Sequence, residues 1–282
     1  MERADARIGI SGWRYPPWRG VFYPKGLRQA DELTYAAERL TSIEINGSFY
    51  SLQRPSSYRA WHDATPDDFV FAVKGPRFIS HIKRMRDVDA PLANFFASGL
   101  LGLRAKLGPL LWQFPANLPF DPVVFKAFLA MLPKSTAQAA ALASHREVDR
   151  MRDREFFEID VDRPLRHAFE PRHPSWDCAE FRDILTRHGA AAVLADTARV
   201  FPVIDMQTDG FRYARLHGDE ELYASGYDDA ALDRWASVVR RWLDSGRDAY
   251  VYFDNDIKVR APFDAMGLIA RVNSARTSGD AG

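Results

Sequence analysis

Short apolar runs rich in β-branched and aromatic residues alternate along the chain with longer stretches that are amphipathic or rich in alanine and leucine. The short runs are typical of strands and the longer stretches of helices. The pattern predicts eight strands, over residues 7–11, 42–45, 69–73, 109–113, 165–170, 191–195, 211–216 and 249–253. It predicts helices between them, over residues 30–40, 56–63, 91–103, 122–132, 179–187, 230–244 and 263–274.

Eight strands with helical crossovers favour an α/β fold, a single (β/α)8 TIM barrel, which typically has ~250 residues. The predicted strands are apolar almost throughout, as parallel strands covered on both faces should be. A doubly wound open sheet is the alternative, but it usually carries a glycine-rich phosphate turn after its first strand. Here Gly9 and Gly12 have no third glycine in register with them. We expect one barrel domain over residues 7–273, with helical insertions after strands 3 and 4, and a flexible tail over residues 274–282.

Composition narrows the class of protein. The 38 basic and 38 acidic residues cancel, and 46 % of the 282 residues are hydrophobic, which argues against both a disordered chain and a polycation that coats nucleic acid. One cysteine, Cys178, excludes an internal disulfide and a cysteine-cluster zinc site. No stretch has the ~20 apolar residues that span a bilayer, and the first residues lack an apolar signal core. We expect a cytoplasmic protein that does not bind membranes.

Large or polar side chains stand at the end of each predicted strand. The carboxyl ends of the strands carry the chemistry of a (β/α)8 barrel, and polar groups facing its interior cost free energy unless they are paired or used. We therefore predict a ligand site at these ends. The residues assigned to ligand binding are Trp13, Asn46, Tyr50, Lys74, Gln113, Arg172, His173, Asp196, Arg215, His217, Asp254 and Asn255.

Glu44 and Glu170 are the candidate catalytic residues. Each carboxylate ends an apolar strand, and two carboxylates in one site can divide the roles of general acid and general base. The alternative is that both are held in structural ion pairs with nearby cations. The candidate cations are Lys74, Arg172 and Arg215.

Basic residues follow the third predicted strand with no acidic residue before Asp87. They are Lys74, Arg77, His81, Lys83, Arg84 and Arg86. Such a segment suits phosphate or carboxylate oxygens, although a run of charges is usually a solvated surface. Because Lys74 directly ends an apolar strand, we expect its side chain to face inward.

Aromatic residues cluster in the segments that follow the first, second and fifth predicted strands. An aromatic wall beside charged groups suits stacking against sugars or bases. We expect Trp13 and Tyr50 to face a ligand, and Trp18, Phe22 and Tyr23 to serve packing.

Metal chemistry is the weaker interpretation. The strand ends hold enough nitrogen and oxygen donors for a divalent ion, but their spacing is not diagnostic, and lysine and arginine in the same place oppose a cation. The donors are Glu170, His173, Asp196, His217, Asp254 and Asp256. We expect neither a metal site nor a cofactor.

Five ordered segments are similar to the YecE-like family, also known as domain of unknown function 72. They are residues 9–24 (GISGWRYPPWRGVFYP), 43–50 (IEINGSFY), 107–115 (LGPLLWQFP), 169–176 (FEPRHPSW) and 250–256 (YVYFDND). The resemblance covers nearly the whole chain and implies a TIM barrel, but no established reaction. Pro171 and Asp254 depart from the family's pattern. Asp254, where many members have asparagine, adds a carboxylate that makes acid–base or metal chemistry more plausible.

These features favour a hydrolase-like enzyme that acts on a small anionic ligand, either phosphate-containing or derived from a sugar or nucleotide. In this hypothesis the basic groups hold the anion and Glu170 or Glu44 moves protons. Two alternatives stay open. One is a nucleic-acid-associated protein that accepts an extruded nucleotide, and the other is a non-catalytic module that binds a small molecule.

Overall fold

Eight parallel strands form the centre of the computed structural model, which describes residues 4–208 and 210–279. The strands are β1 (Ala6–Ser11), β2 (Ser42–Ile45), β3 (Val70–Lys74), β4 (Leu107–Gln113), β5 (His167–Glu170), β6 (Ala191–Asp196), β7 (Arg212–Leu216) and β8 (Ala249–Phe253). They follow one another in chain order, and β8 pairs in parallel with β1, so that the barrel is closed. The (β/α)8 barrel predicted from the sequence is confirmed.

In the described part of the chain, ten α-helices connect or follow the strands. They are α1 (Glu32–Ala37), α2 (Gly47–Tyr50), α3 (Pro55–Asp63), α4 (Asp89–Ala97), α5 (Pro122–Met131), α6 (Thr136–Ala143), α7 (Val148–Met151), α8 (Ala179–Arg187), α9 (Asp229–Asp244) and α10 (Ala261–Gly279). The starts of α5 and α9 follow from local chemistry, because the Asp121 and Asp228 carboxylates accept hydrogen bonds from the first free backbone N–H groups of these helices. Helix α10 continues into the predicted tail as far as Gly279, and residues 280–282 lie outside the described residues.

Both predicted insertions are present. After β3, residues 75–90 include a π-helical turn, Phe78–Ile82. After β4, residues 133–164 contain α6 and α7.

The helix predicted over residues 91–103 is interrupted. Helix α4 ends at Ala97, and Gly99 then takes a φ of 106° before a 3₁₀ segment, Leu100–Lys106, begins. A side chain at Gly99 would lie 2.6 Å from the Pro55 Cα, so the turn needs glycine for both its backbone angle and its space.

The chain divides into two compact units. One comprises Met1–Glu44 with Ala191–Gly282, and the other comprises Ile45–Ala190. In the first, Gly9 of β1 stands opposite Ser42 of β2 and Tyr252 of β8. Helices α9 and α10 pack against each other and against β8.

The Ile45–Ala190 unit has an aromatic core. The Trp176 ring stacks on Phe114 with centroids 5.0 Å apart, and it meets Phe125 and Phe181 edge to face. All four side chains are fully buried, which anchors α5 and α8 to β4 through large apolar contacts. Within residues 4–208 and 210–279, no helix combines the length and the apolar character needed to cross a membrane.

Candidate functional site

Strand β7 sends alternate side chains to one face, because successive residues of a strand point to opposite sides. Tyr213 and Arg215 therefore share a face, and His217 continues this alternation just beyond the end of the strand. All three side chains are almost completely buried. This face of β7 supplies the polar groups that meet β1, β2 and β8 within the first unit.

Arg215 and Glu44 form a completely buried ion pair. The Glu44 Oε1 accepts a hydrogen bond from Arg215 Nη2 at 2.9 Å, and its Oε2 accepts from Arg215 Nε at 3.2 Å. The Tyr213 hydroxyl donates to Oε2 at 2.6 Å, and the Ser11 hydroxyl donates to Oε1. Four donors thus converge on one carboxylate, an arrangement that holds the Arg215 guanidinium in a single orientation.

Asp254 is a second counter-ion of the same guanidinium. Its Oδ2 lies 2.7 Å from Arg215 Nη2 and 3.1 Å from His217 Nδ1. The other ring nitrogen of His217, Nε2, lies 3.4 Å from Arg215 Nη1. The Glu44, Arg215, His217 and Asp254 side chains, which the sequence placed at three strand ends, therefore form one cluster at the carboxyl ends of β2, β7 and β8. We call it the Arg215 cluster.

Asp256 lies close to the Arg215 cluster and has an unusual proton affinity. Burial, reinforced by the charge of Asp254, raises the pKa of Asp256 to about 6, although a backbone hydrogen bond partly opposes the shift. Tyr15 donates to the Ser11 backbone oxygen at 2.6 Å. The carboxyl end of β8 therefore carries a group that changes charge near neutral pH.

Glu170 is the centre of the polar cluster in the Ile45–Ala190 unit. Its Oε1 accepts hydrogen bonds from Gln113 Nε2 at 2.7 Å and from Arg172 Nε at 3.1 Å. The Glu170 side chain is 1 % exposed and that of Arg172 is 15 % exposed. Because Pro171 follows directly, Glu170 is confined to extended backbone geometry, which fixes where its carboxylate lies.

Lys74 and His81 complete this second cluster. Lys74 is 7 % exposed, as predicted for an inward-facing residue, and its Nζ lies 4.4 Å from the centroid of the Phe49 ring. The His81 ring meets the same Phe49 ring edge to face at 5.1 Å. Burial and the charges of Lys74, Arg172 and Arg77 lower the pKa of His81 to about 4. We call Lys74, Arg77, His81, Glu170 and Arg172 the basic cluster.

The other predicted site residues serve several local roles. His173 caps a short 3₁₀ turn, because its Nδ1 accepts from the Ser175 backbone N–H at 3.2 Å. Asn255 is buried and donates to Asp264 at 2.8 Å. Asp196 accepts a hydrogen bond from the Tyr227 hydroxyl at 3.1 Å, and burial raises its pKa.

Three further predicted ligand-binding residues differ in exposure. Trp13 is 6 % exposed, Asn46 is half-buried, and Tyr50 is 73 % exposed. Trp18, Phe22 and Tyr23 are buried and pack on one another, in agreement with their predicted packing role.

Sequence reasoning did not assign Ser11, Phe49 or Tyr213 to a site. The signal for Tyr213 was available, because it precedes Arg215 by two residues and so lies on the same face of β7. Phe49 belongs to the aromatic residues that cluster after the second predicted strand, but the sequence did not show that it contacts Lys74. Ser11 is an ordinary small residue in the sequence, and only its tertiary neighbours reveal a role.

In the part of the chain that the structure describes, no group of three or more His, Cys, Asp and Glu side chains is arranged to hold a metal ion. Asp254 and His217 are instead engaged with Arg215. Independence of a metal stays a prediction.

Comparison with known proteins places these features in a family. Residues 7–281 match the family model described as "Protein of unknown function DUF72". A curated relative, UPF0759 protein YecE of Escherichia coli strain K12, is 31 % identical over 126 residues, which are 40 % of this chain and 44 % of that protein. The matched region thus spans less than half the length of that relative.

Solved structures share the fold. A DUF72 family protein from Thermotoga maritima superposes with a TM-score of 0.73 at 24 % identity, over 95 % of this chain and 99 % of that one. A DUF72 family protein from Enterococcus faecalis gives a TM-score of 0.67 at 16 % identity, over 97 % and 99 % of the two chains. The family model matches almost the whole chain, and the solved structures of DUF72 proteins share its barrel. The chain therefore belongs to the DUF72 family.

Proposed function

We propose that the protein is a hydrolase-like enzyme whose ligand is a small phosphate-containing anion, bound at the carboxyl ends of β3, β4 and β5. The observation that carries the proposal is that Lys74, Arg77 and Arg172 all act electrostatically on His81, while Arg172 pairs with the Glu170 carboxylate at 3.1 Å. Permanent cations in excess of acidic groups are the arrangement that binds phosphate oxygens.

The low pKa of His81 supports the same interpretation. Burial, together with the charges of Lys74, Arg172 and Arg77, disfavours a positive charge on His81, so that it stays neutral at physiological pH. A neutral imidazole keeps one N–H donor and one acceptor nitrogen. Its Nδ1 is 2.9 Å from the Ser80 hydroxyl, which orients the ring.

In the proposed reaction, Glu170 moves the proton. A water molecule adds to the electrophilic centre of the bound ligand, and Glu170 accepts the proton of that water. The bond to the leaving group then breaks and the proton passes from Glu170 to it. Arg172 and Gln113 hold the Glu170 carboxylate at Oε1 and so orient it for this transfer.

Thermal unfolding with inorganic phosphate tests the anion site. Phosphate at about 100 times its Kd should raise the free energy of unfolding by about 2.7 kcal/mol. Lys74→Met and Arg172→Gln should reduce this gain, whereas Lys25→Met and Arg182→Gln, which change exposed residues, should retain it. Equal stabilisation of all five proteins would contradict the proposal.

Glu170→Gln tests the catalytic role. Glutamine keeps a side-chain oxygen that can accept from Gln113 and Arg172, and removing a buried charge offsets the weaker hydrogen bonds. We expect a melting temperature close to that of the wild type, retained phosphate binding and lost hydrolysis of phosphate esters. A large fall in melting temperature would instead make Glu170 a structural support. Binding without turnover in the wild type would favour a non-catalytic module.

The proposed reaction takes place in the cytoplasm. One cysteine in 282 residues supports this location, because a protein with no pair of cysteines needs no oxidising compartment to fold. Fractionation of cells that produce the protein, with detection by antibody, tests the location.

A further inference from the structure

A cavity of about 240 Å³ opens on the surface of the Ile45–Ala190 unit, beside the basic cluster. Helix α2 contributes Phe49 and Tyr50 to its lining, and the π-helical turn contributes Phe78 and Ile79. Single π-helical turns are rare, and those that do occur are often found at functional sites. The cavity is therefore mainly apolar and aromatic, with a wall of unusual backbone geometry.

Two aromatic rings in this cavity are exposed to solvent. Tyr50 is 73 % exposed and Phe78 is 42 % exposed. Phe49, which is 8 % exposed, joins the cavity to the basic cluster: its ring lies 5.1 Å from that of Tyr50 and 4.4 Å from Lys74 Nζ. Exposed rings that line a concave surface next to cations suit a planar ligand that also carries negative charge.

Arginine residues line the polar side of the cavity. Arg77 and Arg150 lie in its lining, and a neighbouring depression of about 470 Å³ shares Arg150 and adds Arg54 and Arg154. Glu147 is an ion-pair partner of Arg150 at 3.5 Å, and both side chains are largely exposed, so the pair is weak. The arginines exceed the acidic groups along this surface and favour phosphate over a neutral substituent.

We propose that this cavity is a base subsite and that the anionic ligand is a nucleotide. This inference rests on the proposed phosphate site: the phosphate binds at the basic cluster, and the planar base stacks on Tyr50 and Phe78. A sugar phosphate would use the cations but would present no planar ring to stack on Tyr50 and Phe78. A purely apolar ligand would use the rings but not the arginines.

Isothermal titration with AMP, ribose 5-phosphate and inorganic phosphate tests the base subsite. AMP should bind at least about fivefold more tightly than ribose 5-phosphate, because stacking of the base on aromatic rings adds affinity. Tyr50→Leu should weaken AMP about fivefold or more and leave ribose 5-phosphate and phosphate unchanged. Phe263→Leu, which also replaces one partly exposed ring, is the matched control and should change none of the three affinities.

The same titrations separate this inference from the proposed function. If ribose 5-phosphate and phosphate bind in a Lys74-dependent way but AMP binds no more tightly, or if Tyr50→Leu leaves AMP unchanged, the base subsite is overturned and the anion site stands. If Tyr50 matters for AMP but Lys74→Met changes no affinity, the base subsite is supported and the anion site is overturned. The absence of binding by all three probes overturns both.

Discussion

Arg215 shows how a single buried residue organises one of the two polar clusters. Its side chain is fully buried, and it donates hydrogen bonds to two carboxylates, Glu44 and Asp254, and to the Ser11 hydroxyl. Burying ions is expensive, so such an arrangement persists only when the remaining polar atoms are also satisfied. The Tyr213 hydroxyl contributes to this by donating to Glu44. The geometry favours a role for Glu44 in positioning Arg215, and a catalytic role for Glu44 stays a prediction.

Arg215→Met should lower the free energy of unfolding by about 3–5 kcal/mol, because Glu44 would keep its buried charge without a cationic partner. Urea unfolding at neutral pH measures the change. Arg28→Met is the control, because Arg28 pairs with Asp31 at an exposed position, where removal should cost about 0–1 kcal/mol. Similar losses in the two variants would mean that the Arg215 cluster does not stabilise the fold.

At the scale of elements, strands β1 and β2 approach each other unusually closely. A Cβ at Gly9 would lie 1.7 Å from the backbone oxygen of Ser42. Neither atom can move without shifting a strand, because Gly9 pairs with Ser42 on one side and with Tyr252 on the other. The same register places Ser11 opposite Glu44, so the close approach also positions the Arg215 cluster.

Gly9→Ala should therefore destabilise the protein by about 3 kcal/mol or more, since the added methyl group meets backbone rather than a flexible side chain. Gly102→Ala is the matched control: there the new Cβ would have its nearest contact at 3.6 Å, an ordinary van der Waals distance, and the change should stay within about 1 kcal/mol. Chemical denaturation of both variants checks the difference. If the variants are equally stable, the strands adjust to the methyl group.

At the scale of the whole molecule, buried histidines make stability depend on pH. His167 is buried, its Nδ1 accepts from the Trp112 N–H at 3.1 Å, and burial lowers its pKa to about 4. In the unfolded chain the pKa is about 6.5. The unfolded state therefore binds more protons between these values, and stability falls as the pH drops from about 6.5 to about 4. Asp256 has a folded pKa of about 6, raised above its usual value, so it makes the protein more stable as the pH drops over an overlapping range.

His167→Gln isolates the contribution of this histidine. The wild type should lose about 3 kcal/mol through His167 on going from pH 7 to pH 4, because one pKa unit corresponds to about 1.4 kcal/mol. The variant should be less stable at pH 7 but show a shallower dependence on pH, while the effect of Asp256 remains in both proteins. Urea unfolding at several pH values gives the two slopes, and identical slopes would contradict the assignment.

The pattern of the chain by itself determined the barrel and most of its strands. Apolar runs, glycine and proline positions and helix caps are local properties, so the predicted 42–45 and 249–253 strands and the 179–187 helix agree with β2, β8 and α8. The inward position of Lys74 also followed from the sequence, because a charged residue that directly ends an apolar strand continues its alternation.

Only the tertiary structure decided which polar residues meet. Glu44 receives hydrogen bonds from Tyr213 and Arg215, whose partnership depends on strand register and barrel closure rather than on any nearby residue in the chain. The exposed ring of Tyr50 beside Phe78 likewise depends on how α2 packs near the π-helical turn. Hydrophobic periodicity encodes which face of an element is buried, but the choice of partner is made by packing between elements that are distant in sequence.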